Sequence, residues 1–414
     1  MKKKSKIHIA ASIVILVFIL STTLFLKNTG RPSSDKIFSL GENTFGMRFI
    51  NTGENESNYV RSQMTICYKN GSDVCYREVT SLLYAQFDYQ TLLSALEGAQ
   101  NYPEVFARCH AVTHFIGRSA YKTNPDIRNL YERGSPACWG GFYHGVIEAY
   151  FDERPYESEE QFARGIRNVC GSESDYSTPR FFHECLHGIG HAMMFVSDDN
   201  LPKSLRWCDK LPTNQKQGTC HGGVFMENSS SSTNTGSGHI SKYIKNDDPL
   251  YPCDILEEKY LSICYQYQSS YFAQLVKHDW KKTGDLCLKV PKAYQLGCFR
   301  IIGSNQVGFT QDPKIMNQTC NSMPNSNAQE SCVLGVVSGL MGRYINKPNM
   351  AEQFCALVTN KHKQNCWTSI GSSLSSWSGD KSKVAHFCEI NNEKHAAWCF
   401  EGLENVSPQP IISN

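Results

Sequence analysis

D-L-C-L-K-V-P-K-A-Y-Q-L-G-C-F-R-I-I-G, residues 285–303, is the stretch that decides the fold. An apolar helical segment ends near Cys287, a short turn with Pro291 follows, and a second helix opens near Cys298. The same arrangement recurs. Cysteines fall into sequential couples: Cys67/Cys75, Cys109/Cys138, Cys170/Cys185, Cys208/Cys220, Cys253/Cys264, Cys287/Cys298, Cys320/Cys332, Cys355/Cys366 and Cys388/Cys399. Second members at 264, 298, 332, 366 and 399 set a period of about 34 residues. A fixed period of that size marks stacked helical hairpins. The expected fold is all-α: a disulfide-stapled αα-hairpin repeat array, solenoid or toroid-like, with at most a short strand hairpin near Cys67–Cys75.

Each couple staples the two helices of one hairpin near their turn. Closing a loop of 11 or 12 residues restricts the unfolded chain by about 3 kcal/mol. Cys109–Cys138 fits the pattern least, because its loop is longer and Cys109 aligns with the second members of other couples. Eighteen cysteines in even number point to an oxidising compartment. Glycines 140, 145, 188, 222, 303, 335 and 371 recur in the second helices. Glycine costs a helix about 1 kcal/mol against alanine, so close helix–helix contact is the expected reason.

Lys2, Lys3, Lys4 and Lys6 precede an apolar run over residues 9–26. Eighteen residues rise about 27 Å as a helix, near the thickness of a hydrocarbon core. The cationic start keeps the N-terminus inside and sends the rest outside. Residues 1–27 are therefore expected to be a transmembrane anchor or signal segment and the bulk of the chain extracytoplasmic. Residues 28–60 read as a linker, 61–240 as His/Glu-rich helical repeats, 241–402 as Cys-paired structural repeats and 403–414 as a tail. The net charge of +2 is spread without a basic stripe, which excludes nucleic acid as a partner.

Between positions 110 and 239 lie eight of the thirteen histidines. Four segments share a form: C-H-A-V-T-H from Cys109, F-Y-H-G-V-I-E from Phe142, C-L-H-G-I-G-H from Cys185 and C-H-G-G-V-F-M-E from Cys220. His110/His114, His144/Glu148 and His187/His191 are spaced i, i+4, so each pair shares one helix face. His221 and Glu227 are six apart, a poorer fit to one face, with the glutamate expected at a frayed end or in the low-complexity loop Asn228–Gly238. His183 and His239 stand in reserve. Glu184 and Tyr143 are further acid–base candidates.

Neutral imidazoles and carboxylates suit Fe, Zn, Mn or Cu. Eight ligands exceed one tetrahedral ion and fit two. Two ions about 3.5–4 Å apart activate water or bind dioxygen, so hydrolase and oxidoreductase chemistry are both open. The carboxylates favour ions harder than copper. No H-E-x-x-H, C-x-x-C, C-x-x-C-H or G-x-S-x-G occurs, so the zinc-protease, dithiol, covalent-haem and serine-hydrolase signatures are absent. The competing expectation is a helical-repeat scaffold whose concave face binds a protein or peptide without catalysis.

Overall fold

A computed structural model describes residues 55–405 apart from 71–72, 107, 155–157, 232–240, 345–346, 379 and 391. The expected anchor at 9–26, most of the linker, His239 and the end of the tail lie outside the described residues. Asn55–Asn414 forms one compact unit. No helix among the described residues is long and apolar enough to cross a membrane.

Among the described residues there are helices and no strand. The short strand hairpin allowed for near Cys67–Cys75 is two helices instead, Glu56–Asn70 and Asp73–Gln86. The first begins inside the expected linker. Its apolar positions are sparse, but Tyr59, Val60, Met64 and Cys67 all fall on one buried face.

Nine longer helices carry the argument: α1 (Cys109–Thr123), α2 (Gly141–Asp152), α3 (Pro179–Val196), α4 (Asn214–Ser231), α5 (Glu258–Leu275), α6 (Gln295–Phe309), α7 (Ser326–Arg343), α8 (Asn360–Trp377) and α9 (Glu393–Glu404). Each packs against the next in chain order. Before several of them runs a short helix, and the details of that hairpin recur. Asn200, Asp279 and Asp312 cap the short helices at Leu201–Cys208, Trp280–Cys287 and Pro313–Asn321 through side-chain oxygens. At the other end a glutamine three residues before the second cysteine satisfies orphan carbonyls. Gln217 donates to the Asp209 and Leu211 carbonyls, Gln295 to those of Leu288 and Val290, and Gln329 to those of Asn321 and Met323.

All eighteen cysteines are paired, in the nine sequential couples, with Cα atoms 5.3–5.8 Å apart. Most couples join a short segment to the long helix after it. Cys109–Cys138 instead joins the start of α1 to the turn that opens α2. So many bridges point to an oxidising, extracytoplasmic compartment.

Four pairs of long helices cross at reciprocal glycines. Gly117 lies on the Phe142 carbonyl and Gly145 on that of His114, joining α1 to α2. Gly190 and Gly223 do the same for α3 and α4, on the carbonyls of Cys220 and His187. Gly303 and Gly335 join α6 to α7, and Gly371 and Gly402 join α8 to α9. A Cβ at any of the eight would run into partner backbone, so helix propensity yields to close approach.

The later helices reach back to the earlier ones. Arg343 Nε donates to Gln100 Oε1 at 3.1 Å, and the Tyr344 hydroxyl donates to Asn101 Oδ1 at 2.6 Å. Enclosed between them is a cavity of about 1460 Å³.

Candidate metal centre

α2 opens from an unusual turn. Cys138, Trp139 and Gly140 all have left-handed backbone, with φ of 57°, 58° and 72°. Consecutive left-handed non-glycine residues are strained, and the same form recurs at Asp198–Asp199 and Lys277–His278, where α3 and α5 end. Before α2 the turn aims the Cys138 carbonyl at α1, where His110 Nδ1–H donates to it at 2.8 Å. On α3, Pro179 in the first turn sets the helix start. His183, His187 and His191 then follow one another on successive turns.

Histidines from three helices meet at one wall of the cavity. His110, His114 and His144 form one group whose ligand atoms all lie within 4.8 Å of one another, and His144, His187 and His191 form a second. His144 belongs to both. These buried clusters could hold a metal ion. The His110 and His114 Nε2 atoms are 3.1 Å apart, and those of His187 and His191 3.3 Å. Two nitrogens on one tetrahedral ion, each bonded at about 2.0–2.1 Å, would stand about 3.3–3.4 Å apart.

Hydrogen bonds behind the rings fix which nitrogen faces inward. His114 Nδ1–H donates to Glu148 Oε1 at 2.9 Å, and His191 Nδ1–H donates to Glu227 Oε2 at 2.8 Å. His187 hydrogen-bonds the Thr219 backbone. With the proton on Nδ1, a neutral ring turns a lone pair out at Nε2. At the His110/His114 pair, the Nε2 lone pair of His110 faces His114 Nε2 at 3.1 Å.

Three of the rings are held neutral. Burial first, and then the neighbouring imidazoles, pushes His110 down to about 3 and His144 and His187 well below the ordinary histidine value. Burial alone would raise Glu148. The His114 ring and the Arg118 guanidinium outweigh it and hold the carboxylate below its usual range, with Arg118 Nε donating to Oε2 at 2.7 Å. Burial likewise opposes and the His191 bond overcomes it at Glu227. Both glutamates are thus bases that orient a histidine, the arrangement common behind metal-bound imidazole. The two groups of converging ligand atoms are all histidine, and both glutamates, expected as ligands, stand directly behind them. Spacing alone does not separate a ligand from the group behind it.

His221 stands apart. Its Nε2 meets Asp209 Oδ1 at 3.0 Å, and Asp209 also accepts from Lys259 Nζ and the Tyr260 hydroxyl. It ties α4 to the end of the Leu201–Cys208 helix and to α5. The reason is helical phase: His187 lies two residues after its cysteine, His221 one, and one residue turns a helix by about 100°. At the position matching His144, two residues after the carbonyl that the partner glycine covers, α4 has Gly222. Glu227, expected at a frayed end or loop, lies inside α4.

Three neighbours carry weight that spacing did not reveal. Met226 Sδ lies 3.4 Å from His187 Nε2. Arg118 holds Glu148. Glu184, which the sequence suggested as an acid–base group or as a support behind the ligands, places Oε2 3.9 Å from His144 Nε2 and pairs with Arg180. Tyr143, the other such candidate, packs against Tyr131 instead. His183, half-buried and pushed down to about 3 by desolvation and then by Arg180, borders the cavity one turn before His187.

Comparison with protein-family models, with curated proteins and with solved structures finds no match in any of the three.

Proposed function

We propose that this chain is an extracytoplasmic metalloprotein, tethered through residues 9–26. In this reading it holds two transition-metal ions on α1–α3 and acts on a substrate admitted to the cavity, as a metal-dependent oxidoreductase or hydrolase. The observation that carries the reading is the convergence of imidazole nitrogens from three helices, with the His110 and His114 Nε2 atoms 3.1 Å apart on rings that Cys138 and Glu148 orient. The orphaned nitrogens of His144 point the same way. Against a metal-free scaffold, the same atoms would be unsatisfied buried groups without function.

His110 and His114 would hold one ion, His187 and His191 the other, with His144 between. Imidazole nitrogen with a thioether nearby favours Cu, Zn or Fe over Mn. Such ions, when bound, supply Lewis-acid activation of water or electron transfer. The protein's own part is orientation: Glu148 with Arg118, and Glu227, fix the tautomers, and the cavity limits access to water. The architecture proposed with it is one hairpin unit repeated. The recurring cap, glutamine brace, cysteine bridge and glycine crossing support that reading.

Elemental analysis of the full chain, purified from an oxidising compartment, tests it. Two transition ions per chain are expected, and a His187→Ala/His191→Ala variant should lose at least half of them with all nine bridges intact. A metal-free wild type, or a variant with full metal content, refutes the reading.

A further inference from the structure

His144 is the one histidine common to both clusters. It is 1% exposed, and neither Nδ1 nor Nε2 has a hydrogen-bond partner. The contrast with its neighbours is direct. His110, His114 and His191 each spend Nδ1 on a carbonyl or carboxylate, which leaves one nitrogen for an ion. His144 has both nitrogens uncommitted. Its ring stacks on His191 with centroids 3.9 Å apart and stands edge-on to His110 and His114, at 5.3 Å from each. It is therefore wedged between the pair on α1 and the pair on α3, and because a lone pair lies in the ring plane, the ring must turn off the His191 face to share an ion with it.

A buried imidazole normally satisfies at least one nitrogen, since a polar atom left unpaired loses its hydration without replacement. Local packing shows no attempt to do so. Glu184 Oε2, at 3.9 Å from Nε2, is too far for a hydrogen bond. Gly141 and Gly145, either side of His144, lie directly on the α1 backbone, which fixes the ring's depth.

We propose that His144 bridges the two ions as an imidazolate, one ring nitrogen to each. This rests on the two-ion reading above. The first ion takes a lone pair from one nitrogen of the neutral ring. The second displaces the remaining N–H proton, which leaves to water, and takes the pair that the proton had held. No electron is transferred. The ring lies between the ions, so they stand further apart than the about 3.5–4 Å of oxygen-bridged pairs. The bridged pair is also unequal. One side has Glu148 neutralised by Arg118, and the other has Glu227 and the Met226 thioether close by.

Copper(II) alone is the probe, added to the metal-stripped full-length protein at one and two equivalents, because copper outcompetes the other divalent ions at nitrogen sites. Electron paramagnetic resonance is the readout. At one equivalent an isolated copper signal is expected. At two, that signal should fall at least several-fold as the spins couple. His144→Ala should bind copper at the two remaining pairs and give isolated signals that add. Two bound ions with additive signals in the wild type, or coupling that survives in His144→Ala, overturns the bridge while leaving the two-ion reading standing. Failure to bind copper at all overturns both. The wild-type titration decides even if the variant does not fold.

Discussion

The pairs α1·α2 and α3·α4 cross at the same kind of glycine contact as α6·α7 and α8·α9, yet they show the cavity different chemistry. The residue whose carbonyl receives the partner glycine is His114 in the first pair, His187 in the second, Arg300 in the third and Thr368 in the fourth. One turn further on stand Arg118, His191, Ser304 and Ser372. One turn before stand His110, His183, Leu296 and Gln364. The backbone frame is common to all four, while the imidazoles belong to two. Glycines and disulfides build the frame, and a single stripe of side chains on each helix decides what it does. On the proposed reading, damage to the frame is expected from either half and loss of metal chiefly from the first.

Disulfides give the largest contrast. Replacing Cys287 and Cys298 with alanine should cost about 3 kcal/mol in denaturant unfolding and leave metal content unchanged. Replacing Cys109 and Cys138 opens a longer loop and should cost about 3–4 kcal/mol. It should also weaken metal binding, because the Cys138 carbonyl orients His110. Equal metal loss in both variants would break the comparison.

Glycine comes next. Gly145→Ala and Gly335→Ala each drive a Cβ into partner backbone and should each cost about 1–3 kcal/mol. The midpoint of urea unfolding should fall in both, and affinity for added zinc should fall only in Gly145→Ala. Affinity lost in Gly335→Ala as well would mean that the two halves are coupled more tightly than their contacts suggest.

Carboxylates behind the rings sharpen the comparison within the first half. Glu148→Gln and Glu227→Gln should each weaken metal binding about 10–100-fold by competition titration. Asp209→Asn, which touches only the outlying His221 and its neighbours, should not. Equal effects at all three positions would place the metal elsewhere.

The smallest effect is on pH dependence. His183 is pushed down to about 3 when folded, against an ordinary value near 6.5. As pH falls, the unfolded chain takes up this proton first. Stability from this group is therefore complete above about 6.5 and is lost toward about 3, by at most about 1.4 kcal/mol per pH unit. Metal-stripped His183→Gln should show a shallower loss between pH 6.5 and 5 than the wild type. An unchanged slope would show that His183 is not desolvated as described.

Much of this frame was legible because it is covalent or periodic. Cysteine spacing named all nine couples, and i, i+4 spacing put His110 with His114 and His187 with His191. What escaped depends on helical phase and on contacts between distant segments. His221 lies one residue from the place that would have brought it inward, and only the glycine crossing shows which residue that place is. Glu148 and Glu227 have ligand spacing whether they touch an ion or the histidine in front of it. Met226 and Arg118 belong to no motif, and their proximity to the rings comes from α4 packing on α3 and α2 on α1. Residues 56–60, the start of the helix Glu56–Asn70, read as linker because its buried face holds few apolar residues among many polar ones.

Anomalous diffraction from crystals of metal-replete protein tests the central claim most directly. Peaks should appear beside the His110/His114 and His187/His191 Nε2 pairs, on either side of the His144 ring, and nowhere along α6–α9. Metal-replete crystals with no peak at either pair, or with peaks only at Asp209 and His221 or in the C-terminal half, would contradict it.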